Sequence, residues 1–154
     1  MLVFVTVGST KFDALVAAVL TERVLVSFHR RGYTNLVVQC GDSTFELSES
    51  VKNGETACLS RCGVQIEVWR FKNSLDNEFE RADLVISHAG MSTILDLRNL
   101  VESGFDLGSG TILEVLRKGK LMIVVPNPTL LDNHQEELAV GLEEMEYLSM
   151  ATVQ

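Results

Sequence analysis

The sequence predicts an α/β fold, a parallel sheet in three layers with helices on both faces. Three observations lead there. Short β-branched runs recur at 2–7, 35–40, 64–71, 84–87 and 121–125. They read as strands buried on both faces of a parallel sheet. Segments of helical periodicity fall between them, so strand and helix alternate along the chain.

Taken in order, Leu2 to Val7 reads as the first strand: it is apolar, lacks a basic leader and stops at Gly8, too short for a secretion signal or a membrane span. Asp13 to Arg31 follows as one helix, its apolar residues Leu15, Val16, Val19, Leu20, Val24, Leu25 and Phe28 at helical spacing and its end marked by Arg30, Arg31 and Gly32. With the strand Asn35 to Cys40 this makes a βαβ unit. Gly41 to Gly63 has turn residues and weak periodicity, and is expected to be a loop or short irregular excursion. Val64 to Phe71 is the third strand. Ser74 is expected to cap a short helix through Arg81, with Asp76 and Glu78 near its positive end. Leu84 to Ser87 and Leu121 to Val125 are the fourth and fifth strands, Asp132 to Met145 a helix, and Tyr147 to Val153 a last edge strand.

A chain of 154 residues, 46% apolar, suits one domain with an ordinary core. Its net charge of −8 argues against nucleic acid or an anionic membrane surface as the main partner, since both reward clustered Lys and Arg. Cys40, Cys58 and Cys62 form no CxxC pair and have no matching histidine pair, so reduced cytosolic thiols are expected. There is no Asp-x-Asp motif with a histidine set, so no metal site and no cofactor is expected.

In an open parallel sheet ligands bind at the carboxyl ends of the strands, and the informative residues fall there. Gly8-Ser9-Thr10 after the first strand offers N–H groups and two hydroxyls to an anion, although an empty βα turn reads the same way. It is neither GxGxxG nor a P-loop. Gly108-Ser109-Gly110-Thr111-Ile112-Leu113-Glu114 lets a diphosphate approach a first helical turn, with Thr111 as donor and Glu114 placed for both ribose hydroxyls; a capping role for Glu114 fits the same spacing. Asn133-His134-Gln135 presents amides and an imidazole suited to a neutral polyol, or a cap and a surface histidine. His88, directly after a strand, is a ligand group or a satisfied interior histidine. Trp69, Arg70 and Phe71 end the third strand, where a base can be received, but core packing is the expected fate of the two aromatics.

The strings Phe4 to Thr10, Asp83 to Gly90, Gly108 to Glu114 and Leu131 to Ala139, in that order over nearly the whole chain, resemble the Alg13 family of donor subunits of UDP-N-acetylglucosamine transferases. The resemblance implies a Rossmann-like domain, the donor-binding half of a GT-B glycosyltransferase, similar to the matching half of MurG. It implies that Gly8, Ser9, Thr10 and the Gly110-Thr111 turn hold the diphosphate of UDP-GlcNAc, Glu114 the ribose, and Asn133, His134 and Gln135 the sugar hydroxyls, with His88 beside them. It implies inverting transfer of a second GlcNAc, in β1,4 linkage, to GlcNAc-diphosphate-dolichol on the cytosolic face of the endoplasmic reticulum. The partner implied is a membrane-anchored Alg14-like subunit, through which alone this chain would meet the membrane. No general base is implied on this chain.

The pattern departs from the family at one place. The family joins Ser-His-Ala-Gly directly to one Gly-[Ser/Thr]-x-x-Glu helix start, whereas here 91–107 intervenes as an insertion. Aligning Gly90 on Gly108, 18 residues on, pairs Thr93 with Thr111, Ile94 with Ile112, Leu95 with Leu113 and Asp96 with Glu114, so the insertion is an imperfect copy. The second copy has the better residues and leads correctly into Leu121. The resemblance also implies a C-terminal helix beyond Gln154. A non-catalytic or regulatory isoform with a disrupted donor site is the alternative; a generic nucleotide-binding oxidoreductase domain fits less well, lacking GxGxxG.

Overall fold

The computed structural model describes residues 1–89, 119–127 and 149–150. The described strands form one sheet of seven, in the order β3-β4-β2-β1-β5-β6-β7, where β1 is Leu2–Thr6, β2 Asn35–Gln39, β3 Ala57–Arg61, β4 Val64–Trp69, β5 Leu84–Ala89, β6 Leu121–Pro126 and β7 Ser149–Met150. All neighbours are parallel except β3 and β4. The five strands expected from the sequence are therefore present, and the expected edge strand is the short β7.

β1 is buried along its whole length because both faces are covered. On one face Val3, Val5 and Val7 join Leu36, Val38, Cys40, Val64, Ile66 and Val68 against Leu15, Val16, Val19, Leu25 and Phe28 of α1 (Asp13–Val19) and α2 (Glu22–Arg30). On the other, Phe4 stacks with Trp69 at 6.3 Å between ring centroids and meets Phe79 of α3 (Asp76–Arg81) edge-on at 5.3 Å. Lys72 caps that aromatic group, its Nζ 4.3 Å from the Trp69 ring centre and 2.6 Å from the buried Glu78 carboxylate.

The expected single helix over Asp13 to Arg31 is two. At Thr21 the chain turns extended, with φ −67° and ψ 147°. The Thr21 hydroxyl donates to the Ala18 carbonyl at 2.7 Å, a local bond that competes with continuing the helix. Apolar periodicity runs through the break because both pieces bury the same face. The far end is as the sequence predicts: Gly32, at φ +85°, donates to the His29 carbonyl at 2.9 Å and Tyr33 to that of Phe28 at 3.0 Å, while the Phe28 and Tyr33 rings meet at 6.1 Å. This is a Schellman stop with its hydrophobic contact.

Two further expectations are corrected. Gly41 to Gly63 is not wholly irregular: it contains β3, joined to β4 by Cys62 and Gly63 at φ 52° and 78°. Two consecutive positive φ values make a hairpin turn that matches strand twist. Ser74 does not cap α3; it forms a local turn with Asp76, accepting from its N–H at 3.1 Å, and α3 starts after Leu75 with no side-chain cap. The expected helix Asp132 to Met145 lies outside the described residues.

Candidate functional site

The connections place a topological switch beside β1. From β1 the chain runs outward through β2 and β4 on one side, and β5 then lies on the other side. Loops leaving neighbouring strands in opposite directions open a crevice at their carboxyl ends, where ligands of such sheets bind. Gly8-Ser9-Thr10 follows β1 and His88 lies near the end of β5, so the two come together there.

The loop after β1 is braced from every described neighbour. Gly8 has φ +64°, and a Cβ there would lie 3.7 Å from Cε1 of His88. Its N–H donates to Oε1 of Gln39 at 2.8 Å, while Nε2 of Gln39 donates to the Gly8 carbonyl at 2.8 Å and to the Arg70 carbonyl at 2.8 Å. Thr6 adds its hydroxyl to the same Oε1 at 2.6 Å. Below the loop, Gly41 (φ +51°) approaches so closely that a Cβ would stand 2.9 Å from the Gly8 carbonyl and 3.1 Å from that of Thr10. Ser43 Oγ accepts from Phe12 N–H at 2.9 Å, and the buried Asn127 after β6 donates to the Lys11 carbonyl at 3.3 Å.

This bracing decides which donors remain. The Gly8 N–H is committed to Gln39, and Thr10 donates its hydroxyl to the Val7 carbonyl at 2.7 Å and its N–H to the same carbonyl at 3.4 Å. Ser9 is exposed and makes no hydrogen bond among the described residues, so its N–H and hydroxyl are open to an anion.

His88 is 9% exposed and lies 3.2 Å, Nε2 to Oγ1, from Thr10. Since that hydroxyl already donates to Val7, it accepts here, which places the imidazole proton on Nε2. Nδ1 is then a buried acceptor with no partner among the described residues. Burial pushes the His88 pKa below its ordinary 6.5, so the ring is neutral near pH 7.

Of the third-strand residues, Trp69 is buried, as expected, whereas Phe71 is 44% exposed and is not core. The Arg70 guanidinium donates to the carbonyls of Val51 at 2.7 Å, Gly41 at 3.0 Å and Ser48 at 2.9 Å, and so anchors the 41–51 loop. Burial raises the Cys40 pKa, Arg70 opposing it, and the thiol stays protonated in the core. Gly110, Thr111, Glu114, Asn133, His134, Gln135 and Asp96 lie outside the described residues. Among the described residues no group of three or more His, Cys, Asp or Glu can hold a metal ion, and no helix is long and apolar enough to cross a membrane.

Gln39, Gly41 and Ser43 were not expected at this site. Of these only Gly41, a turn glycine, carried a local signal.

The model of the glycosyltransferase family 28 C-terminal domain matches residues 2–101 and 108–152. The chain is 36% identical over 150 residues to the UDP-N-acetylglucosamine transferase subunit ALG13 of Homo sapiens, covering 97% of this chain and 11% of that protein. To the subunit of the same name from Cryptococcus neoformans it is 33% identical over 171 residues, covering 97% and 76%. The chain thus spans about a tenth of the human relative. In fold it is similar to the solution NMR structure of ALG13, with a TM-score of 0.63, 22% identity and 99% and 78% of the two chains covered. It is also similar to the crystal structure of MurG from Acinetobacter baumannii, with a TM-score of 0.60, 21% identity and 97% and 35% covered. These likenesses match the Rossmann-like GT-B fold that the family resemblance implies. With the family model matched over most of its length, the chain belongs to the glycosyltransferase family 28 C-terminal domain family.

Proposed function

We propose that this chain is the donor-binding subunit of a UDP-GlcNAc transferase that adds the second GlcNAc, in β1,4 linkage, to GlcNAc-diphosphate-dolichol. The observation that carries this reading is the contact of His88 with Thr10 across the β1–β5 switch point, with the Ser9 N–H and hydroxyl, uncommitted among the described residues, beside it. In a chain of this family that crevice is where a nucleotide diphosphate fits.

In the proposed reaction the acceptor hydroxyl oxygen attacks the anomeric carbon from the face opposite the diphosphate. The bond from that carbon to the β-phosphate oxygen breaks, UDP leaves with the electron pair, and the acceptor proton passes to a general base. Inversion follows from the single displacement. Ser9 and the Gly110-Thr111 turn stabilise the leaving diphosphate, Gly8 and Thr10 holding the loop in shape. Glu114 takes the ribose, and Asn133, His134 and Gln135 the sugar. Neutral His88 offers Nδ1 to a donor hydroxyl.

The chain is read as one domain in which 91–107 is an insertion, and the second motif copy serves the site. Each of the two matched pieces carries one copy, Gly90 in 2–101 and Gly108 in 108–152, which supports a duplicated helix start. The chain is read as working at the cytosolic face of the endoplasmic reticulum, held there by a membrane-anchored Alg14-like partner. That the relatives are named as subunits supports a partner. The duplication favours one second reading, a non-catalytic isoform. Co-expression with an Alg14-like subunit and assay of transfer from UDP-GlcNAc to a GlcNAc-diphosphate lipid separates them: transfer is expected only with both subunits, and its absence favours the isoform.

A further inference from the structure

We infer that Gln39 is the positioning residue of the diphosphate loop, a role that rests on the donor reading above. Gln39 is 2% exposed and ends β2, in register with Thr6 of β1 and Trp69 of β4. At that row the strand register ends, with Val7 N–H still reaching the Gln39 carbonyl at 3.3 Å and Cys40 N–H that of Trp69 at 2.9 Å, and the side-chain amide extends the pairing to Gly8. It accepts from the Gly8 N–H and donates to the Gly8 carbonyl, both at 2.8 Å, as a peptide group in a ladder would. Its second N–H donates to the Arg70 carbonyl at 2.8 Å, so the amide ties the loop after β1 to the chain leaving β4. Thr6 fixes which end of the amide faces Gly8, because its hydroxyl points a proton at Oε1.

Gly8 sits at φ +64°, so its peptide planes are set by what they bond to rather than by a side chain. Its carbonyl ends on Gln39, its N–H on Gln39 at 2.8 Å and more weakly on the Thr6 hydroxyl oxygen at 3.3 Å, and the peptide plane that carries the Gly8 carbonyl also carries the Ser9 N–H, the proposed anion donor. Without the amide that plane is free to rotate and the Ser9 donor loses its aim. The Arg70 side is held independently by the β4 ladder and by the three carbonyls that the guanidinium grips, so the defect is confined to the Gly8 side.

The test is calorimetric titration of the full chain, wild type, Gln39→Glu and Gln39→Met, with UDP and with uridine. Gln39→Glu keeps the acceptor for Gly8 but turns an oxygen toward two carbonyls; Gln39→Met keeps the volume and removes every bond. In both, the ratio of UDP to uridine affinity is expected to fall roughly tenfold while uridine affinity stays within about twofold, the effect of a misplaced loop. The Gly8 amide proton should exchange faster by NMR. A merely structural role would weaken both ligands together, so a folded variant with the wild-type ratio overturns the assignment of Gln39. Wild-type protein that binds no UDP overturns the donor reading instead. Should neither variant fold, Thr6→Val, which removes the hydroxyl that orients the amide, is expected to lower the ratio about threefold; an unchanged ratio there also overturns the proposal.

Discussion

His88 and Thr10 meet across the crevice between β5 and β1, Nε2 to Oγ1 at 3.2 Å, joining residues 78 positions apart. This contact ties the carboxyl ends of the two strands at the switch point, and burial keeps the imidazole that makes it neutral.

The first expectation is a pH dependence. Burial lowers the His88 pKa from 6.5, so the unfolded chain takes up the proton more readily than the folded one. The stability that His88 contributes is fully present above pH 6.5 and is lost as the pH falls through its lower folded value. His88→Gln should flatten the fall in melting temperature over that window. Equal slopes for the variant and the wild type would show that the ring is not held neutral.

Gly41 and Gly54 both have positive φ, but only Gly41 faces the loop, its Cβ position 2.9 Å from the Gly8 carbonyl, while that of Gly54 meets nothing. Gly54→Ala should cost about 1 kcal/mol from backbone strain alone. Gly41→Ala should cost about 2–4 kcal/mol, strain plus overpacking, and should weaken UDP binding as well. Chemical denaturation of both variants checks the difference.

Ser9 is exposed and uncommitted among the described residues. Ser9→Asp should therefore change stability by less than about 0.5 kcal/mol. A carboxylate set against the diphosphate should nonetheless lower UDP affinity by about tenfold or more. Unchanged affinity would remove Ser9 from the site.

Glu114 and Asp96 are the competing ribose carboxylates of the two motif copies. Glu114→Ala should lose about 1.5–3 kcal/mol of UDP affinity, the scale of bonds to a charged group, and Asp96→Ala little. The reverse result would assign the site to the first copy.

Much of the fold was legible because strands buried on both faces and the Arg30-Arg31-Gly32 stop are local patterns. The β3 hairpin was not, since Cys62 takes a left-handed conformation more typical of Gly or Asn, and the α1–α2 break depends on a single Thr21 hydroxyl. At the site, Gly8, Ser9, Thr10 and His88 stood out by lying just after or at the ends of apolar runs. Gln39 did not. A glutamine closing a strand is unremarkable until the β1–β2 register sets it beside Gly8, a residue 31 positions away. Ser43 was hidden for the same reason, its bond to Phe12 spanning 31 positions. Sequence patterns mark what a site offers a ligand more readily than what holds it in shape.

Donor binding is tested most directly by calorimetric titration of the wild-type chain with UDP-GlcNAc. The donor-site assignment predicts saturable binding with a Kd below about 1 mM, or about 4 kcal/mol or more of binding free energy. No heat at millimolar UDP-GlcNAc, with the chain folded, would contradict it.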